Sequence, residues 1–317
     1  MEGVELILGT MMFGARADAE ESRQMLTHFT TSGWTSLDTA AVYSDGISEQ
    51  LIGEWLSGTT VPGVSIATKV HPRTTGRLDA ASVRKVFEAS LQRLQTKSVD
   101  LLYLHAPDSQ HPVEDALRMC AELYQEGKFK RLGLSNYPAW LVEKAYYLCE
   151  KNDWPRPQVY QGMYNAITRA VEPELFPALR DLGIQFYAYN PLAGGLLTGK
   201  YNNFNKKPEA GRFASMPFYQ DRFWKESAFK ALEKIEEQCA AHKISMAHAA
   251  LRWMLHHSQL SAEAGDGVIL GASTIDQLAD NLNGAEAGTL PEAVVAAFQA
   301  AWDTARCECP DYFRFYS

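Results

Sequence analysis

Eight short runs rich in apolar and β-branched residues end at positions 9, 38, 69, 105, 135, 162, 189 and 271, so the first seven recur every 27–36 residues. The runs are Glu5–Gly9, Thr35–Asp38, Val64–Lys69, Asp100–His105, Arg131–Ser135, Gln158–Gly162, Ile184–Tyr189 and Gly267–Gly271. A period near 30 is the length of one strand, one helix and their turns, and such units must alternate to bury both elements. Eight of them predict one closed (β/α)8 TIM barrel spanning 1–317, rather than two domains of roughly 150 residues.

The intervening segments repeat apolar residues at helical spacing. Ala17–Ser32 carries its acidic residues early and stops at Gly33, and Val83, Val86, Phe87, Leu91 and Leu94 line one face of Ser82–Leu94. Val113–Glu126 follows a proline and precedes Gly127. The last gap, 82 residues, exceeds a normal unit by about 50 residues. Within it, 199–224 reads as a long loop before the last strand, laid over the barrel mouth, because five aromatics between Phe213 and Trp224 favour packing over a solvated linker. Helices are expected at Glu226–Ala241, Ser245–His256 and Pro291–Ala305, followed by an aromatic C-terminal tail, Tyr312–Ser317, over the mouth.

A formal charge of −8, from 30 Lys and Arg against 38 Asp and Glu, argues against nucleic-acid or anionic-membrane partners. It leaves room for one basic pocket. No apolar run approaches the roughly 20 residues of a membrane helix, and the acidic start Met1–Glu5 lacks the features of a secretory signal. Five scattered cysteines without paired C-x-x-C spacing suggest reduced thiols and a cytoplasmic protein. His242, His248, His256 and His257 make no metal set with convincing spacing, so no metal is expected.

Barrel enzymes carry their chemistry at the C-terminal strand ends. Here those ends are Asp38, Lys69, His105, Ser135-Asn136, Gln161 and Tyr189-Asn190. Such groups are costly to bury unpaired, and together at one mouth they suggest a site. Tyr43 stands five residues after Asp38. A neighbouring ammonium would lower a tyrosine pKa from about 10, and a carboxylate could hold that ammonium. Asp38, Lys69 and Tyr43 therefore suit a proton relay, with His105 directed at a substrate carbonyl. A structural ion pair, a core tyrosine and a capped histidine are the plainer alternative.

Asp38-Thr39-Ala40 with Tyr43, Gly46, Ser48, Glu49 and Gly53, then Thr68-Lys69, Leu104-His105 and Gly133–Asn136, resemble the aldo-keto reductase superfamily. The longer strings Tyr160–Asn165, Asn190–Tyr201, Arg252–Met254 and Glu308–Pro310 are similar to its aflatoxin aldehyde reductase branch, so the resemblance covers nearly the whole chain. It implies reduction of aldehydes by NADPH, with Asp38, Tyr43, Lys69 and His105 as a catalytic tetrad and Tyr43 as proton donor. It implies that Asp38, Ser135, Asn136 and Gln161 hold the nicotinamide end and that the ring of Tyr189, more than its hydroxyl, stacks there. Asn190, Leu192, Gly194 and Gly195 would follow the dinucleotide. A channel-associated regulatory subunit that keeps cofactor but turns over slowly is the alternative within the same fold.

Gly194–Tyr201 is a near P-loop, but Tyr201 replaces the Ser or Thr that would hold magnesium. Its glycines and Lys200 suit the pyrophosphate of a dinucleotide instead. The adenosine end is expected at Ser273, as cap of the next helix, with Gln277 and Asn281 on one helical face. Gly271 and Gln277 stand where the superfamily often has Lys and Arg, so Lys200 or Arg212 must supply the cation for an NADPH preference. For the substrate, Tyr219, Arg222 and Trp224 lie in the long loop and Arg314 in the tail; the resemblance implies an anion-binding arginine in each region, and two guanidiniums at the mouth would favour carboxylate-bearing aldehydes. Met11, Met12 and Trp140 are candidates for the apolar wall. The resemblance leaves a homodimer open, and a small-molecule aldehyde is the expected partner.

Overall fold

The computed structural model describes residues 3–59 and 61–316. Its strands are β1 (Glu5–Gly9), β2 (Ser36–Asp38), β3 (Ser65–Val70), β4 (Val99–Leu104), β5 (Phe129–Ser135), β6 (Pro157–Met163), β7 (Gln185–Tyr189) and β8 (Gly267–Gly271). They pair in parallel, each with the next, and β8 closes on β1 through the register Glu5–Gly267 to Gly9–Gly271. The predicted barrel is therefore present, with C-terminal strand ends that coincide with the predicted ones or differ by one residue.

Alternation along each strand decides which side chains see the interior. Ile7, Ala67, Leu101, Tyr103, Val159, Tyr187 and Ile269 form a separate buried cluster inside the barrel. Counting two residues onward from members of this set reaches Gly9, Lys69, His105, Gln161, Tyr189 and Gly271. The same parity places the candidate residues on the inner face at the upper rim, above an apolar floor. The other parity, including Leu8, Leu37, Leu102, Leu134, Phe186 and Leu270, packs outward against helices.

Those helices are α1 (Ala19–Thr31), α2 (Ile47–Ser57), α3 (Ala80–Arg93), α4 (Val113–Gln125), α5 (Ala139–Lys151) and α6 (Leu175–Asp181). Helix α1 begins later than the sequence pattern suggests because Asp18 is its cap, its carboxylate accepting from the Glu21 N–H at 2.9 Å. Between β7 and β8 lie α7 (Arg212–Ser215), α8 (Pro217–Phe223), α9 (Glu226–Ala241) and α10 (Met246–His256). The expected loop 199–224 thus contains two short helices, held by edge-to-face packing of Phe213 on Tyr201 and Trp224. Helices α11 (Ile275–Ala285) and α12 (Glu292–Ala305) complete the order.

The tail then crosses the rim in extended form. The Tyr312 hydroxyl donates to Glu174 at 2.6 Å, and the Arg314 N–H donates to the Asn136 carbonyl at 3.1 Å. Ser317 lies outside the described residues.

One interior contact tests this packing. A Cβ on Gly133 of β5 would clash with the ring of Tyr103, which is fully buried on β4. Gly133→Ala should therefore destabilise the fold by about 1–3 kcal/mol, the usual cost of overpacking. Urea unfolding measures this, and an unchanged midpoint would contradict the packing described.

Candidate active site

A buried ion pair joins adjacent strand ends. Lys69 Nζ lies 2.5 Å from Asp38 Oδ1, and both side chains are almost wholly buried. The ammonium also donates to the Thr39 carbonyl at 2.7 Å and to Tyr43 Oη at 3.3 Å, which uses its three protons. The second Asp38 oxygen accepts from Gln161 Nε2 at 2.7 Å. Burial pushes the Asp38 pKa up and the Lys69 pKa down, and each partner's charge opposes the shift of the other.

Tyr43 reaches this pair because the chain turns back sharply after it. Ser44, Asp45 and Gly46 are all left-handed, with φ of 49°, 53° and 92°, and the Ser44 hydroxyl donates to the Phe13 carbonyl at 2.7 Å. Burial, and then the Asp38 carboxylate, hold the Tyr43 pKa well above 10. This corrects the lowering expected from Lys69. Desolvating a phenolate costs more than one ammonium at 3.3 Å returns, so the phenol keeps its proton at neutral pH.

His105 stands beside Tyr43 with ring centroids 6.0 Å apart, edge to face. Burial, then the Lys69 charge, keep its pKa far below 6.5, so the imidazole is neutral. Its Nδ1 has no hydrogen-bond partner among the described residues. Asn136 Nδ2 donates to the His105 carbonyl at 2.9 Å and Tyr189 Oη donates to Asn136 Oδ1 at 2.6 Å. The Tyr189 hydroxyl thus has a partner of its own in Asn136. Asn136 and Asn190, at the ends of β5 and β7, both have positive φ, 61° and 58°, which asparagine tolerates better than most residues.

These groups face one cavity of about 810 Å³, bordered by Asp38, Tyr43, His105, Ser135, Asn136, Gln161 and Tyr189. It continues past Asn190, Leu192, Gly194, Gly195, Lys200 and Arg212 to Ser273, Gln277 and Asn281. Gly194 and Gly195 are left-handed, at φ 70° and 108°, and no atom lies within 4 Å of a Cβ placed on Gly195. A long ligand can approach this backbone closely. Buried Asn190 Nδ2 and Arg212 Nε have no partner among the described residues. The arrangement suits a ligand with many acceptors.

At the far end two expectations need correction. Thr274, not Ser273, caps α11, its hydroxyl accepting from the Gln277 N–H at 3.3 Å. The Ser273 N–H and hydroxyl instead donate to Gln277 Oε1 at 3.1 and 2.9 Å, so that oxygen is occupied and only the amide NH2 is left for a ligand.

Tyr219, Arg222 and Arg314 border the cavity, as do Met11 and Met12. Trp224 does not. Its ring is buried against Phe229 with centroids 4.8 Å apart, and its Nε1 donates to the Phe204 carbonyl at 2.8 Å. Its apolar area is better buried under the loop than at the mouth. Trp140 is 58% exposed, stacks on Phe315 and does not line the cavity. Arg16, His71, Arg73 and Tyr316 do line it and were missed. His71 had a signal, falling two residues after Lys69, whereas Tyr316 is brought in only by the path of the tail.

The aldo/keto reductase family sequence model matches residues 5–303. The chain belongs to the aldo/keto reductase family. It is 51% identical to human aflatoxin B1 aldehyde reductase member 2, with 98% of this chain and 90% of the relative covered. It is 50% identical to human aldo-keto reductase family 7 member A3, covering 97% and 96%, and 33% identical to the oxidoreductase sirO of Leptosphaeria maculans, covering 97% and 96%. This aldo/keto reductase is thus an oxidoreductase whose strand-end polar residues converge on one cavity.

His71 gives that cavity a measurable pH signature. Burial and Arg73 hold its pKa at about 4 against an ordinary 6.5, and its Nδ1 accepts from the Arg73 N–H at 3.0 Å. Between those values the unfolded chain binds more protons, so this stabilisation is complete above about pH 6.5 and is lost as pH falls toward 4. From about pH 7 to about pH 5 the wild type should lose roughly 2 kcal/mol more unfolding free energy than His71→Asn. Urea titrations at both pH values measure the difference, and parallel pH slopes would refute it.

Proposed function

We propose that this reductase converts aldehydes to alcohols with NADPH, and that Asp38, Tyr43, Lys69 and His105 act on the carbonyl. The observation that carries the reading is the Tyr43 hydroxyl bordering the cavity, 3.3 Å from an ammonium that is itself fixed by a buried carboxylate. A bound nicotinamide dinucleotide supplies the hydride. Ser135, Asn136 and Gln161 would hold its carboxamide end, with Tyr189 beneath the ring. The Gly194-Gly195 backbone, Lys200 and Arg212 would take its phosphates, which fits the partnerless Arg212 Nε and the absence of carboxylate pairing at Lys200 and Arg212 among the described residues. Ser273, Asn281 and the free amide of Gln277, which border the far end of the same cavity, would take its adenosine end.

The chain's own groups then divide the work. Tyr43 holds the proton and releases it only when a far more basic alkoxide develops on the carbonyl oxygen. Lys69 limits the cost of the resulting tyrosinate, and Asp38 with the Thr39 carbonyl holds the ammonium in place. A neutral His105 donates a hydrogen bond to the carbonyl without adding a second cation beside Lys69. Arg222 and Arg314 favour aldehydes that carry a carboxylate. All five cysteines are free thiols, consistent with a reducing compartment such as the cytoplasm.

NADPH oxidation followed with aldehydes tests the reading. Tyr43→Phe should lower kcat by about 10²–10⁴-fold with the fold intact, and undiminished turnover would refute the proton-donor role. Arg314→Ala should raise KM for 2-carboxybenzaldehyde and succinic semialdehyde more than for uncharged aldehydes. Equal increases would remove the carboxylate preference.

A further inference from the structure

The last described residues form a strap that ends beside the candidate site. Tyr316 makes a parallel bridge with Asp108, its N–H donating to the Pro107 carbonyl at 3.1 Å and its carbonyl accepting from the Ser109 N–H at 2.8 Å. This fixes the ring edge to face on His71, centroids 4.6 Å apart, and His71 stands edge to face on His105 at 4.9 Å. Two guanidiniums approach the same ring. The Arg314 carbon lies 5.3 Å and the Arg73 carbon 5.9 Å from its centroid.

The side chains of His71, Arg73, Arg314 and Tyr316 border the cavity, and neither the Arg73 nor the Arg314 guanidinium makes a hydrogen bond or carboxylate pair among the described residues. The carboxylate of Asp108, close through the backbone bridge, is already occupied by the Leu78 and Gln110 N–H groups and by His111. Two like charges drawn to one ring thus have N–H donors unmatched among the described residues. Guanidiniums attracted to an aromatic ring retain in-plane donors, and a carboxylate accepts two of them at once.

We propose that Arg73, Arg314 and Tyr316 form an anion subsite for the substrate's carboxylate, with Arg73 and Tyr316 as specificity-determining residues. This deepens the carboxylated-aldehyde reading and rests on it. Tyr316 is the positioning element, since its ring gathers a guanidinium from the β3–α3 connection and another from the tail. Only two ring steps separate it from His105, so the subsite suits small aldehydes whose carboxylate lies a few bonds from the carbonyl.

The test compares matched substrates, succinic semialdehyde with butyraldehyde and 2-carboxybenzaldehyde with benzaldehyde. Arg73→Ala and Tyr316→Ala should raise KM for the carboxylated member by about tenfold, with kcat and the uncharged member shifted far less. Tyr316→Phe should behave as wild type, because the ring and not the hydroxyl faces the cations. Equal shifts in both members, or none, would overturn the subsite. Calorimetric titration of phthalate, an unreactive dicarboxylate, reads the same site without turnover. About tenfold weaker binding to Arg73→Ala is expected, and equal affinity overturns the proposal even if aldehyde reduction stands. Absence of any aldehyde turnover, with phthalate binding still dependent on Arg73, would instead defeat the reductase reading and leave the subsite.

Discussion

The upper rim of the barrel is organised around the buried contact between Lys69 and Asp38. A buried ion pair is a poor source of net stability, because removing two charges from water offsets most of their attraction. What it supplies is position. With its protons directed to Asp38, the Thr39 carbonyl and Tyr43, the ammonium ties β2 and β3 to the segment that follows β2. Gln161 extends the same network to β6 on the opposite side of the barrel. Loss of either charge would leave the other buried and uncompensated, and Tyr43 without its neighbour.

The surrounding shell supports this contact through groups that have no part in the chemistry. Glu49, fully buried on α2, pairs with Arg93 of α3 at 2.7 Å and accepts from the Thr68 hydroxyl. Ser48 bonds to Thr10 and Thr39, linking the ends of β1 and β2 beneath the left-handed turn that presents Tyr43. Of the eight non-glycine residues with positive φ among the described residues, Ser44, Asp45, Asn136 and Asn190 lie at this rim. The strain of such backbone persists where the surrounding packing over-determines it, as a rigid barrel floor does.

Charge is sorted by location in a chain of net charge −8. On the outer helices acids and bases pair with each other, as Arg84 does with Glu88, Glu122 and Glu126. Around the cavity, Arg16, Arg73, Arg212, Arg222, Arg314 and Lys200 have no carboxylate partner among the described residues. The cations come from the segments after β1, β3 and β7 and from the tail, so no stretch of sequence looks basic. A pocket of this sign attracts anions despite the acidic exterior.

The periodic strand ends were enough to derive the barrel, and the parity rule then dictated that Asp38, Lys69, His105, Gln161 and Tyr189 share the interior rim. These conclusions are local and repetitive, since a period of two along strands and of about 30 along the chain leaves little freedom. Roles that depend on side-chain neighbours were less legible. Trp224 has the composition of a pocket residue yet is buried beneath the loop, Gln277 spends its oxygen on Ser273, and Tyr43 has its pKa raised because desolvation outweighs a nearby charge. Arg73 and Tyr316 stand 243 positions apart and meet only because the tail pairs with the loop after β4. Sequence alone therefore determined the scaffold and the strand-end groups that reach its mouth. Tertiary structure decided which of them remain unpartnered there, because that depends on contacts between segments with no fixed spacing along the chain.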